Sequence, residues 1–352
     1  MPLVRLSGKV AGSSDPKRKE RAEILYHLFS SGWDIYNANG DQTIKLSNIQ
    51  NRILKSDAFV FCQNPSIEDY FNFASIFVGL QTNDTDLKDK PVILVNGDES
   101  WNSFMALIDH LIALGTIRQE YKQLFKVVEG SKQLVLTIDA NYKEKTKLKK
   151  DEPDFIEVKG LYKENSPHNI PKRSVCVFCS ASIRDTEYLD EGYEVGKILA
   201  KNGIGCISGA GKTGIMGKVV QGAYENGGWS AGSNVPHIIK MEGLPDGLNE
   251  FWPRANIYTR MEVMIERSDA FLIMPGGMGT IQELLALILL KEQNNDLVKD
   301  KKIVIYNKKD AKTNKHFWEP LIQIINSNQL EKYVEITSDI SHAIDVVSNV
   351  AL

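Results

Sequence analysis

The segment Pro275-Gly276-Gly277-Met278-Gly279-Thr280-Ile281-Gln282-Glu283 joins a β-branched apolar run to a helical pattern. Its three glycines let the backbone turn tightly and approach a ligand, and the first free N–H groups of the following helix form a seat for phosphate. Thr280 is placed to cap that helix and to donate its hydroxyl. Glu283 follows three residues later, a spacing with two readings. It closes a capping box with Thr280, or it stands as a carboxylate beside the phosphate seat, where it takes a proton from water and offsets developing positive charge.

A second glycine loop, Gly209-Ala210-Gly211-Lys212-Thr213-Gly214, also follows a strand and precedes a helix, and it spells G-x-G-x-x-G. A dinucleotide site further requires an acid at the end of the next strand to hold a ribose. The segment SAGSNVPH, Ser230 to His237, offers none. Lys212-Thr213 hints at a P-loop, but that motif needs glycine where this chain has Cys206. Cys176 and Cys179 form a C-x-x-C with no second pair for zinc, and on a strand residues three apart face opposite sides, so both read as buried thiols. His237 follows Val235-Pro236 near a strand end and reads as an incidental loop histidine.

These loops need a frame that brings strand ends together. Val175–Cys179, Gly205–Ser208, Ala270–Met274 and Lys302–Tyr306 read as strands, and Tyr188–Asn202, Met216–Asn226 and Thr280–Lys291 as helices. Alternation of this kind implies crossover units and a parallel, doubly wound sheet that binds ligands beyond the carboxyl ends of its strands. The apolar window Ala270–Leu290 contains Pro275, three glycines, Gln282 and Glu283, so it reads as strand, turn and helix and not as a membrane span.

The plan occurs twice. Ser56-Asp57-Ala58-Phe59 returns as Ser268-Asp269-Ala270-Phe271, and KDKPVILVN (88–96) as KDKKIVIYN (299–307), with the other cognate segments in the same order. The expectation is a diverged tandem duplication with two Rossmann-like α/β domains: 1–140, a charged linker 141–173, and 174–352. Aligned on the repeat, Arg260 and Glu283 fall on Asn48 and Phe71, and Pro275-Gly276-Gly277 falls on Gln63-Asn64-Pro65. The first half is therefore expected to be degenerate, without the catalytic motif, and to serve as a built-in packing partner.

Charge and cysteine content narrow the function classes. The 42 basic residues against 45 acidic ones give a net charge of -3, no field for gathering a nucleic acid polymer or an anionic membrane. The five lysines between Lys143 and Lys150 are followed at once by Asp151, Glu152, Asp154 and Glu157, as in a solvated connector. Four cysteines and a start without a signal-peptide core make the cytoplasm the expected location.

P-G-G-x-G-T-x-x-E resembles the signature of the Lonely Guy (LOG) family, nucleoside 5′-monophosphate phosphoribohydrolases long mislabelled as lysine decarboxylases. The approach to the motif is similar as well, with Arg260, then SDAF, then PGG. FCSAS (178–182) resembles the family's first strand-loop and GAGKTGIMG (209–217) its second glycine loop, so the resemblance covers roughly residues 174–333. It implies hydrolysis of an N-glycosidic bond, with Arg260 and Glu283 as the catalytic pair and Arg260 holding Glu283 ionised. It also implies substrate contacts from Ser180, Gly209, Gly211, Gly276, Gly277, Gly279 and Thr280. The expected ligand is a nucleoside monophosphate, with no cofactor and no metal, and the expected assembly is a homo-oligomer, a dimer. Two positions depart from the family pattern: Met261, where a lysine often stands, and Leu289, where a threonine often stands. A nucleotide-binding sensor or carrier without turnover is the competing reading. Decarboxylation of lysine needs a pyridoxal phosphate Schiff-base lysine, and no lysine is singled out.

Overall fold

Parallel strands buried on both faces read as continuous apolar runs, and AFVF, VILV, SVCVF and AFLI are such runs, each wholly buried. A computed structural model of the chain describes residues 1–7, 17–37, 46, 49, 53, 55–84, 86–142 and 171–349. Asn48 and residues 143–170 of the expected connector lie outside the described residues. The chain divides into two compact units, Met1–Ile112 with Ile117–Lys150, and Ala113–Thr116 with Asp151–Leu352.

In the first unit, β1 (Leu3–Ser7), β2 (Asp34–Asn37), β3 (Ala58–Phe61), β4 (Val92–Val95) and β5 (Lys126–Val128) form one sheet in the order β2-β1-β3-β4-β5. Its described helices are α1 (Lys17–Ser30), α2 (Ile67–Gln81), α3 (Asn102–Ala113) and α4 (Ser131–Asn141). Val4, Leu6, Ala58 and Val60 pack with Ile24, Leu28, Leu134 and Ile138 on one side of this sheet.

In the second unit the strands are β6 (Ser174–Phe178), β7 (Gly205–Ser208), β8 (Ser230–Asn234), β9 (Glu250–Pro253), β10 (Ala270–Ile273), β11 (Lys302–Tyr306) and β12 (Glu335–Thr337). They are ordered β12-β11-β10-β6-β7-β8-β9. The helices are α5 (Thr186–Lys201), α6 (Gly214–Glu225), α7 (Pro236–Glu242), α8 (Ile257–Glu266), α9 (Met278–Glu292), α10 (Glu319–Ser327) and α11 (Ile340–Ser348). Every strand pair in both sheets is parallel. The protein is thus α/β, with two Rossmann-like doubly wound sheets.

In each sheet the order reverses once, between β1 and β3 and between β6 and β10, and the crevice at such a reversal is where open α/β sheets bind ligands. The repeated aspartate does the same work twice. Asp57 accepts from Leu3 N at 2.8 Å and donates its own N–H to Leu3 O at 2.7 Å, while Asp269 does so with Ser174 at 2.7 and 2.8 Å. Asn96 and Asn307 are likewise matched, accepting from Trp101 N and Trp318 N, both at 2.8 Å.

The expected strands and helices of the second unit are present within a few residues at their ends, and seven further elements join them: β8, β9, β12, α7, α8, α10 and α11. SAGSN forms β8 and EFWP forms β9 at the sheet edge, although neither has a β-branched run. The segment after β8 forms α7 with proline in its first turn. The helix α8, which carries Arg260, starts at Asn256, whose side chain accepts from Tyr258 N and Thr259 N. The window 270–290 is β10, a turn and α9; α9 is buried on all sides from Thr280 to Leu290, and no described helix is long and apolar enough to cross a membrane.

Candidate active site

The loops that leave β6 and β10 meet at the strand reversal of the second unit. Ser180 N donates to Pro275 O at 3.0 Å, and Met216 N donates to Ser180 O at 3.1 Å. The Ser180 hydroxyl accepts from Ser182 N and Ile183 N, so it closes its own loop. Thr213 Oγ1 donates to Ala181 O at 2.8 Å, which ties the Gly209–Gly214 loop to the same place. All three candidate loops therefore lie together.

Arg260 reaches this junction from α8. Its Nε donates to Ser233 O at 2.9 Å and its Nη2 to Gly209 O at 3.3 Å, and Nη2 stands 3.6 Å from Glu283 Oε1. Arg260 is 8% exposed and Glu283 3%. Gly209 is required by this approach, since a Cβ there would lie 2.0 Å from Nη2. The glycine thus makes room for the guanidinium and offers it a carbonyl.

The capping-box reading of Glu283 is corrected by the start of α9. Gly277, at φ -105° and ψ -154°, is the N-cap, without a side-chain hydrogen bond, so Thr280 lies in the first turn and Glu283 further along. The N-cap thus lies three positions earlier than the Thr280 signal suggests, at a glycine. Thr280 does not cap; it is buried, and its hydroxyl packs where a Cβ on Gly276 would come within 2.1 Å. A Cβ on Gly279 would meet nothing within 4 Å, so that face is open.

The first unit shows the opposite arrangement. There Ser66 caps α2, accepting from Asp69 N at 3.3 Å and donating its own N–H to Asp69 Oδ2 at 2.8 Å. Its helix start is satisfied by its own side chains, and Phe71, the counterpart of Glu283, is buried.

Electrostatics correct a second expectation. Burial pushes the Glu283 carboxyl up to about 7; Arg260 lowers it and Glu242 raises it further. Arg260 therefore does not hold Glu283 firmly ionised. A carboxylate this deep loses its hydration, and at 3.6 Å the guanidinium is too far for a close charge-assisted hydrogen bond of about 2.8 Å. The shared guanidinium also serves two carbonyls.

Two charged residues of the site carry no sequence signal. Glu242 is the last residue of α7, and Arg184 is anchored on the β6 loop by Nη1 donating to Ala181 O and Ile183 O. Neither lies in a motif. The positions that depart from the family pattern, Met261 and Leu289, are both buried. Cys176, Cys179 and Cys206 are free, buried thiols whose ionisation burial suppresses. His237 sits half-buried in the first turn of α7. Among the described residues no group of three His, Cys, Asp or Glu side chains could hold a metal ion.

Residues 216–351 match the family model described as possible lysine decarboxylase. The chain is 36% identical over 112 residues to the cytokinin riboside 5′-monophosphate phosphoribohydrolase of Mycobacterium tuberculosis, a stretch covering 32% of this chain and 59% of that one. It is 31% identical over 134 residues to the enzyme of that name LOG3 from Arabidopsis thaliana, covering 38% of this chain and 60% of the relative. The chain thus spans about half to three fifths of the length of the curated relatives it matches. Among solved structures, the molybdenum cofactor carrier protein of Chlamydomonas reinhardtii aligns with a TM-score of 0.37 at 19% identity, covering 51% of this chain and 97% of that one. The second half of the chain is similar to the LOG family, as its motifs imply.

Proposed function

We propose that the second unit hydrolyses the N-glycosidic bond of a nucleoside 5′-monophosphate, releasing free base and ribose 5-phosphate. The observation that carries this reading is Glu283, a 3%-exposed carboxylate facing Arg260 at 3.6 Å at the strand reversal. A proton affinity near neutrality suits a group that must be ionised to take a proton and must release it afterwards. The names of the relatives point the same way.

In this scheme the phosphate sits at the start of α9, against Gly276, Gly277, Gly279 and Thr280, where the N-cap is a glycine that supplies no side-chain cap to the first N–H groups. The bond from C1′ to the base nitrogen breaks, and its electron pair leaves with the base. The ribosyl carbon becomes cationic, and ionised Glu283 offsets that charge. Water adds to C1′ and yields a proton to Glu283, which then passes it through solvent to the departing base nitrogen, so that base, ribose 5-phosphate and ionised Glu283 are left. Arg260, fixed by Ser233 O and Gly209 O, orients Glu283. Gly209, Gly211 and Ser180 shape the loops around the ligand.

The test is incubation of the full chain with a panel of purine and pyrimidine nucleoside monophosphates, followed by assay for ribose 5-phosphate. Release from at least one of them is expected. Nucleotide binding without release would instead make the protein a sensor or carrier. We also propose that the two units descend from a tandem duplication, supported by the matched Asp57 and Asp269 bonds and the matched Asn96 and Asn307 bonds.

A further inference from the structure

The glycine loop after β7 leaves two gaps, and the hydrolytic scheme uses only one. At Gly209 a Cβ would lie 2.0 Å from Arg260 Nη2 and 3.1 Å from Met216 Cε. At Gly211 a Cβ would lie 2.6 Å from Glu242 Oε2 and 3.0 Å from Met216 Sδ. The Met216 side chain, whose thioether accepts from Gly211 N at 3.0 Å, lies beside both gaps, the one that takes a cation and the one that takes a carboxylate. Glu242 ends α7, and Gly243 at φ +71° turns the chain away after it. Among the described residues the Glu242 side chain accepts no hydrogen bond, and the charges acting on it are those of Arg260 and Arg184.

We propose that Glu242 is a positioning residue of the Arg260–Glu283 centre, competing with Glu283 for one guanidinium across the Gly209–Gly211 turn and so keeping Glu283 able to accept a proton. The proposal rests on reading Glu283 as the proton acceptor. The groups facing Glu242 are Arg260 of α8 and Arg184 of the β6 loop, which lower its proton affinity against the effect of burial. Those acting on Glu283 are Arg260 and Glu242, and the Cys176 and Cys179 thiols beside it stay neutral. Lys212, from the same loop, pairs with the exposed Asp246 at 3.3 Å. Two carboxylates around one shared cation leave each incompletely neutralised, and removing either charge gives the other a larger share of Arg260.

The experiment is a carbon-13 carboxyl titration of Glu283 in the full chain, its resonance identified by its loss in Glu283→Gln. Glu242→Gln is expected to lower the Glu283 midpoint by ~0.5 pH unit or more, and Glu242→Asp to restore it in part. Gly211→Ala, which displaces Glu242 without removing its charge, should also lower the midpoint and serves if Glu242→Gln fails to fold. The acid limb of the pH–rate profile should move with the midpoint. An unchanged Glu283 midpoint in the folded variant overturns the proposal, since loss of a purely structural contact would not move it. Absence of turnover on every nucleotide would remove the hydrolytic reading while leaving the titration result intact.

Discussion

Glu283→Gln is expected to stabilise the protein at alkaline pH while abolishing turnover. Unfolded, a glutamate titrates near 4.5; in the fold, burial lifts Glu283 to about 7. Below pH 4.5 the group is protonated in both states and adds no penalty. Between 4.5 and 7 the unfolded chain ionises first, so stability is lost as pH rises, and above 7 the full penalty is present. At roughly 1.4 kcal/mol per pH unit of displacement this amounts to about 3 kcal/mol. Glutamine carries no such penalty. Urea unfolding of both proteins without ligand should therefore show the variant gaining about 2 to 3 kcal/mol relative to the parent between pH 5 and pH 8. If Glu283 were a helix cap, its loss would instead cost about 0.5 to 2 kcal/mol. A stability difference that does not change with pH would refute the argument from burial.

Gly209→Ala should displace Arg260, because the new Cβ would fall 2.0 Å from Nη2, and ribose 5-phosphate release should drop by at least ~10-fold in a chain that still folds. Adenosine should be turned over at least ~100-fold less efficiently than AMP, because it lacks the group that the start of α9 is proposed to seat; comparable efficiencies would remove the phosphate seat. Asn48→Ala, at the first-half counterpart of Arg260, should leave turnover unchanged in the same assay, and a large loss would place the first half in the reaction.

The legible parts of the sequence were those with local causes. Apolar runs on fully buried strands, glycines at strand ends and the recurrence of Ser-Asp-Ala-Phe each act within a few residues, and they placed β6, β7, β10, β11 and the three loops. The parts that were not legible depend on distant chain. The strand β8 is small and polar although it lies inside the sheet, and what makes it a strand is its pairing with β7 and β9, which are distant in sequence. The start of α9 is set by Gly277, and the stronger-looking signal at Thr280 is overridden. The affinity of Glu283 for a proton could not be read from its proximity to an arginine in the motif, since burial outweighs that arginine. Glu242 has no motif and enters the site only through the missing side chain of Gly211.

The most direct test of the central claim is the rate of ribose 5-phosphate release by the parent chain and by Glu283→Gln, on the best nucleoside monophosphate of the panel at pH 8. A carboxylate that accepts the proton of the attacking water predicts a loss of at least ~100-fold in kcat with the nucleotide still bound. Release by Glu283→Gln at a rate close to that of the parent would contradict it.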